Sequence, residues 1–336
     1  MSPSALYPTS PSGCITDVPG IRAGHFTDSR RPTGCTALLL APGSVTGLDV
    51  RGGASGLYGA AHLDPLHSVE QTHALFLSGG SEFGLQVGIG VTRYLEQNGQ
   101  GFHFDGYTIP LVAGAILYDL QVGDGLVRPD AEAGYLAASS ATTHSLAVGN
   151  VGAGAGATVG KLFGIEYAMK SGLGTASISF PSEDIVVGAV VAVNAAGDIF
   201  DHRSGKIIAG ALDRSSLQFL NTTQRLLQGE CLSAAADKES SRNTTIAVIA
   251  TNATLSRAEI TRVARMAHAG MCRSISPVHT HWDGDAIFAV ATRQNSKPVS
   301  ENVIGVAAAE VLSRAITCAV DAAKKSLDFP ARSDLR

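Results

Sequence analysis

The sequence predicts an α/β protein in which sheets are covered by helices, and three observations carry that expectation. Apolar runs of strand length recur along the whole chain, stretches of helical spacing lie between them, and both kinds occur in each half. The runs are 36–41 (TALLLA), 74–78 (ALFLS), 186–193 (VVGAVVAV), 245–251 (TIAVIAT) and 286–292 (AIFAVAT). Runs without polar alternation are buried on both faces, so something must cover them.

Taken in order, residues 1–14 open on a Pro- and Ser-rich stretch and are expected to form a loose tail. From Ile15 to about Gly125 apolar runs alternate with glycine turns. Residues 83–97 (FGLQVGIGVTRYLEQ) have helical spacing, and Asn98-Gly99 stops them. Residues 109–120 (IPLVAGAILYDL) read as a buried strand ending near Tyr118, and 151–161 are mostly glycine and alanine. Residues 233–242 (SAAADKESSR) have the composition of an exposed linker, which ends abruptly at Asn243. Ser256 and Glu259 form a capping box for a helix carrying Ile260, Val263, Ala264, Met266 and Ala267. Residues 302–323 read as a long amphipathic helix, and the chain contains no internal repeat.

Composition excludes several classes. The 336 residues are 45% hydrophobic and 16% charged with 38 glycines, a globular profile rich in small side chains. A formal net charge of −4 offers no electrostatic footprint for nucleic acid. The five cysteines are scattered with no C-x-x-C pair, so neither a disulfide framework nor a zinc knuckle is expected. The start lacks a basic segment followed by an apolar run, and no uninterrupted apolar stretch spans a bilayer. The expectation is a soluble cytoplasmic protein with no membrane partner.

The sharpest chemical feature is Asn243-Thr244-Thr245 between linker and buried strand. A Thr hydroxyl is a poor nucleophile without a base, and one solution is an N-terminal Thr whose own α-amine takes the proton. That amine titrates near pH ~8, low enough for a useful neutral fraction. Exposing it requires Thr244 Oγ to attack the Asn243 carbonyl. Against this stands a turn followed by a strand, and Asn221-Thr222-Thr223 repeats the tripeptide in a polar context.

Three further features compete for roles. In an extended chain His279, His281, Asp283 and Asp285 share a face, as a metal site, as a carboxylate pair balancing an amine, or as a polar turn. Gly152, Gly154 and Gly156 resemble a dinucleotide loop only superficially, since TVGKLFG is a poor helix and Glu166 comes too early. The preferred reading is a closely packed backbone delivering Lys161 to a site, where a cation stabilises an anion or lowers an amine's pKa. Asn194 ends its strand either as a turn residue or as an oxyanion donor.

Together these segments resemble the self-processing N-terminal-nucleophile hydrolases that include L-aminopeptidase/D-esterases, β-peptidyl aminopeptidases and nylon-oligomer (6-aminohexanoate-oligomer) hydrolases. The likeness runs from about Ile15 to Leu312 through ITDVPGIRAGH, DVRGGA, LSGGSEFGL, AILYDL, GAGAGATVGKL, GLGTAS, VVAVNAAGD, NTTIAVIATNA and HTHWDGDAIFAVAT. The resemblance implies a four-layer α/β/β/α sandwich forming one catalytic domain, autocleaved into a large chain (15–243) and a small one (244–336). It also implies a dimer-based homo-oligomer, often a tetramer. Thr at 244 and Asp283-Gly-Asp285 look like the nylon-oligomer branch, where the aminopeptidase branch tends to have Ser and Glu. Position by position it implies Thr244 as nucleophile with Lys161 beside it, Asn194 and Tyr118 as oxyanion and substrate donors, and Asp283 and Asp285 supporting the amine. His281-Trp282 departs from the pattern and leaves the substrate site's shape open. The expected activity is hydrolysis of linear amides or short peptides through an acyl-Thr intermediate, without metal or organic cofactor. The alternatives are an aminopeptidase/esterase for D- or β-amino acid amides, an ornithine acetyltransferase-like acyltransferase, a metal-dependent amidohydrolase built on HTHWDGD, and a non-catalytic dinucleotide-binding module.

Overall fold

Period-two patterning sorts the side chains of two five-stranded sheets onto opposite faces, and that sorting builds the core. The computed structural model describes residues 13–230 and 243–335. The expected linker at 233–242 and residues 1–12 of the expected tail lie outside the described residues. The first sheet runs in the order β1 (Ile21–Thr27), β2 (Gly34–Leu40), β5 (Ala74–Ser78), β6 (Val112–Ile116) and β4 (Gly56–Tyr58). The second runs β7 (Leu173–Phe180), β8 (Ile185–Asn194), β9 (Thr244–Ala253), β10 (Ala286–Asn295) and β3 (Val45–Val50). The pairs β5–β6 and β9–β10 are parallel, and the other neighbours are antiparallel. Among the described residues five α-helices accompany them: α1 (Val87–Gln97), α2 (Ala131–Ser139), α3 (Thr222–Leu227), α4 (Arg257–Ser274) and α5 (Glu301–Ala322).

Alternate residues of one strand enter different clusters. Leu38 and Leu40 of β2 meet Val190 and Ala192 of β8, Ile246 and Val248 of β9, and Phe288 and Val290 of β10, so this cluster lies between the sheets. The intervening Ala37 and Leu39 meet Val87, Val91 and Leu95 of α1 and Ala133 and Ala137 of α2. On the second sheet Val191, Ala247, Ile249, Ile287 and Ala289 face α4 and α5 through Val263, Ala267, Ile304, Val311 and Ile316. A one-residue slip of β9 would exchange its two faces, so burial of both fixes its register. Each fully buried Val, Leu or Ile contributes roughly 1.5–3 kcal/mol relative to exposure.

Several elements differ from the sequence-based expectation. The helical stretch starts as a 3-10 turn (Ser81–Gln86), and the α-helix begins only at Val87. Gly80 adopts φ +86°, and a Cβ on Gly84 would lie 2.0 Å from Gly79 O, so the chain turns too tightly there for an α-helix. The strand expected to end near Tyr118 stops at Ile116, and the chain leaves the sheet after Leu117 N–H donates to Ser78 O. Cys14, the last residue of the expected tail, is buried, and its N–H donates to Asp17 Oδ2. The capping box forms as read: Ser256 Oγ accepts Glu259 N–H and Glu259 Oε2 accepts Ser256 N–H. Helix α5 is long and apolar enough to span a membrane by length and composition, but its apolar side is spent against β7 and β8 in the core.

Candidate active site

The first residue of β9 is where the chemistry gathers. Asn243 and Thr244 are each only 3% exposed. The Thr244 hydroxyl donates to the carbonyl oxygen of Asn243, which sets Oγ against the peptide that would have to break. The same carbonyl oxygen accepts Gly284 N–H at 2.9 Å, and Asn243 N–H donates to Trp282 O at 3.2 Å. The Asn243–Thr244 peptide is thus held between β9 and the loop 282–285, with a donor already aimed at its oxygen. A Cβ on Gly284 would lie 2.8 Å from Thr244 Oγ1, so only glycine brings that N–H so close.

Loop 282–285 is itself clamped. Asp285 O accepts the N–H groups of Arg51 (3.0 Å) and Gly52 (3.2 Å), and Asp283 O accepts Ala54 N–H at 2.9 Å. Side chains at Gly52 and Gly53 would collide with this loop, Gly52 at 2.3 Å from Asp283 O and Gly53 at 2.7 Å from His281 Cα. Both carboxylates are buried. Asp285 Oδ1 accepts Thr245 N–H at 2.7 Å, and its Oδ2 accepts His279 N–H and lies 2.9 Å from His279 Nδ1. Asp283 Oδ2 accepts the Thr280 hydroxyl at 2.6 Å and its Oδ1 accepts Ala196 N–H at 3.3 Å. Burial, and then the neighbouring Asp285 charge, push Asp283 up to about 6.

Across the sheet, Asn194 pairs with Thr244 in the β8–β9 register. Its Oδ1 accepts Thr158 N–H at 3.1 Å and the Lys161 ammonium at 2.7 Å, while its Nδ2 donates to Tyr118 O at 3.0 Å. Lys161 is brought down to about 7, chiefly by burial of its ammonium, with Asp283 and then Asp119 opposing the shift. Lys161 and Asp283 therefore both exchange protons near neutrality, a common property of reacting groups.

The glycine-rich segment shows why the sequence there is almost free of side chains. Cβ atoms at Gly154 and Gly156 would lie 2.0 Å from Leu173 N and 2.5 Å from Asp119 Oδ2. Beneath it the fully buried Lys170 donates to Gly154 O (3.2 Å), Ala157 O (2.8 Å) and Ser171 O, and burial brings it down to about 7. Asp119 is also buried, paired with Arg31 and accepting Thr33 Oγ1–H (2.7 Å) and Gly80 N–H (2.9 Å).

The structure gathers Thr244, Asn194, Lys161, Asp283 and Asp285, and brings the Tyr118 backbone onto Asn194. It separates His281 from the other members of HTHWDGD. Of the readings open for that segment, an extended face carrying four ionisable groups is not what forms; it is a polar turn, with Thr280 Oγ1 accepting Trp282 N–H and φ +59° at His279. His281 is exposed and its ring lies against Trp282. Among the described residues no three His, Cys, Asp or Glu side chains converge as a metal site. The second tripeptide, at Asn221, starts α3: Thr222 N–H and Oγ1 are both bound to the buried Asp198, a structural anchor. Sequence reasoning missed Gly284, Thr280, Lys170 and Asp119. Only the Gly52-Gly53 doublet and the glycine between two aspartates carried a local signal for the clamp.

The sequence matches Peptidase family S58 over residues 13–330. It is 38% identical to a Mycobacterium leprae protein named as an uncharacterized aminopeptidase, over 96% of this chain and 93% of that one. It is 30% identical to the 6-aminohexanoate-oligomer endohydrolase of Paenarthrobacter ureafaciens, over 89% of this chain and 84% of that one. The fold is similar to that of the L-aminopeptidase D-Ala-esterase/amidase of Ochrobactrum anthropi, described as a variant of the Ntn hydrolase fold. That match has TM-score 0.67 and 19% identity, over 94% of this chain and 88% of that one. With a family match across nearly its whole length, the chain belongs to peptidase family S58 and is a hydrolase of amide or peptide bonds.

Proposed function

We propose that the chain is an autoprocessed amide hydrolase whose nucleophile, Thr244, becomes an N-terminus when the Asn243–Thr244 bond breaks. One observation carries this reading: Thr244 Oγ1 lies on the Asn243 carbonyl while Gly284 N–H donates to the same oxygen. In processing, Lys161 in its neutral form takes the Oγ proton as Oγ attacks the carbonyl carbon. Gly284 N–H holds the developing oxyanion, a donor typically worth ~3 kcal/mol of barrier. The protonated Lys161 returns that proton to the Thr244 nitrogen as the C–N bond breaks, so the acyl group passes to oxygen as an ester, and water hydrolyses the ester to release chains 1–243 and 244–336. In turnover the freed Thr244 α-amine is the base, and Asp283 and Asp285 balance the charge it acquires. Asn194, with Tyr118 beside it, serves as the substrate-side donor, and water clears the acyl-Thr ester. The single domain shared by both chains is read as four layers, helices–sheet–sheet–helices, supported by the three apolar clusters. The enzyme is read as a homo-oligomer with no nucleic-acid or membrane partner, and no cofactor enters the scheme.

The substrate class is a linear amide or short peptide, as in the oligomer endohydrolases. The higher identity to proteins named aminopeptidases favours a second reading, removal of N-terminal residues. Internal amides blocked at both ends separate the two, since only an endohydrolase cuts them. Processing is tested by mass spectrometry of the purified protein and of Thr244→Ala. The wild type should yield a small chain starting Thr-Thr-Ile-Ala, while Thr244→Ala stays intact and inert. An active, unsplit wild-type chain would end this reading.

A further inference from the structure

The geometry points to His279 as a positioning residue for the reaction: with its backbone N–H and its ring Nδ1 on one carboxylate oxygen it fixes Asp285 and aims it at the first peptides of β9. The inference rests on the Thr244 reading and adds to it the residue that fixes the orientation of the carboxylate bound to the second peptide of β9. His279 N–H lies 3.1 Å and its Nδ1 2.9 Å from the same Oδ2, while Oδ1 takes Thr245 N–H at 2.7 Å. The two backbone N–H groups donate, and with its hydrogen on Nδ1 the ring is a third donor, a set that suits a carboxylate accepting at both oxygens. Asp283, by contrast, has its neighbour's charge and its own burial against it.

Two details of His279 fit this task better than a role in packing. Bringing its backbone N–H and its ring nitrogen onto one oxygen uses φ +59°, a left-handed conformation that non-glycine residues seldom adopt and that is retained where surrounding structure demands it. Among the described residues its Nε2 is buried with no partner. A second ring proton would place an unsatisfied cationic N–H in that space, so the neutral ring with hydrogen on Nδ1 is the form that fits. The ring stands edge-on to His268, 4.7 Å between centroids at 77°. His268 is lowered to about 4, first by burial and then by His279, so it adds no positive charge near neutrality. Its Nε2 lies 3.3 Å from Asp49 O and 3.3 Å from Asp49 Oδ2, and that carboxylate is bound by Arg51 Nε at 2.6 Å. Among the described residues the charged and titratable groups near His279 include His281, Asp283 and Asp285 on its own loop, His268 on α4 with Arg265 and Cys272 beside it, and Asp49 and Arg51 at the end of β3.

If the Nδ1–H donor is lost, the Asp285 carboxylate keeps only two of its three partners beside the buried Asp283, whose titration its charge already raises, and the pH dependence of turnover changes. The test compares wild type, His279→Leu and His279→Asn on a short amide substrate across pH, with ¹⁵N NMR of the His279 ring. Asparagine tolerates the left-handed backbone and places an amide N–H where Nδ1 was. Expected are a hydrogen on Nδ1 near neutrality, and for His279→Leu a kcat loss of about tenfold with little change in KM. Its acid limb should move by about one pH unit, and His279→Asn should restore both kcat and the wild-type limb. A ring carrying its hydrogen on Nε2, a wild-type pH profile in His279→Leu, or no recovery in His279→Asn would each overturn the assignment. Thr244→Ala keeps the two readings apart. If it is inert while any of those results is found, only the His279 assignment falls. If it still turns over substrate, the nucleophile is wrong and the role of His279 falls with it, whatever the ring shows.

Discussion

Replacing Gly284 by alanine puts one methyl group where the proposed processing reaction has least room. The new Cβ would lie 2.8 Å from Thr244 Oγ1 on one side and 2.7 Å from Ala54 O on the other. Each is roughly 0.6 Å inside ordinary contact distance. Both atoms crowd the methyl at once, and Ala54 is tied to the same loop through its N–H bond to Asp283 O. The relief available is a shift of loop 282–285, which carries Gly284 N–H off the Asn243 oxygen. Losing an oxyanion donor outright costs 10²–10³-fold, so displacing it should slow processing by about 100-fold. Overpacking should also lower stability by ~1–3 kcal/mol, leaving a folded precursor on which the rate can be measured. The assay is disappearance of full-length chain on a denaturing gel after cell-free synthesis, with circular dichroism confirming the fold. Splitting within threefold of the wild-type rate would show that this N–H does not hold the reacting carbonyl.

Lys161→Met should remove the base and slow processing by ~10²-fold or more. With Lys161 lowered to about 7, only its neutral form accepts a proton, so the wild-type rate should rise with pH through neutrality and level off; Lys161→Met should lose that step in a rate series from acid to alkaline buffer. Asp283 is raised to about 6, so the folded state holds its proton more tightly than the unfolded chain does. Its contribution to stability is therefore full below the ordinary carboxylate range and fades as pH rises through about 6; Asp283→Asn should flatten that slope in urea midpoints. Asp119→Ala would leave the Arg31 guanidinium, whose side chain is 1% exposed, uncompensated in the interior, at ~3–5 kcal/mol in urea unfolding.

The sheets were legible because burial wrote itself into the sequence as runs with few polar interruptions. TIAVIAT, AIFAVAT and VVGAVVAV became the adjacent strands β9, β10 and β8, and the Ser256 cap is local chemistry that four residues fully specify. What could not be read is where backbone geometry outweighs composition. The apolar stretch after Phe83 looks helical throughout, yet the turn at Gly80 and the close approach at Gly84 delay the α-helix to Val87. HTHWDGD left an extended face and a polar turn both open, and it is a hydroxyl bond within the segment and the clamp from residues 51–54 that make it the turn.

The candidate site divides along the same line. Thr244 could be named because the chemistry needs a hydroxyl after a linker, and the two aspartates because the family resemblance implies carboxylates beside the amine where their spacing alone left other roles open. Gly284 could not, because its contribution is an N–H that every residue but proline has, and only the missing Cβ marks it. Lys170 and Asp119 were silent for another reason. Each is a buried charge satisfied by groups far away in sequence, Asp119 by Arg31, Thr33 and Gly80, and Lys170 by carbonyls of the glycine-rich segment. Such charges are stable only when every partner is in place, so they rigidify the segments they join. Those segments lead straight to Thr158 and Lys161, both hydrogen-bonded to Asn194, and Asn194 is the cross-strand partner of Thr244. In the proposed mechanism the enzyme's first substrate is its own peptide bond, so the donors and the base must already be in register in the uncut chain. A buried polar framework that forms with the fold, rather than on arrival of a ligand, is the physical means to that end.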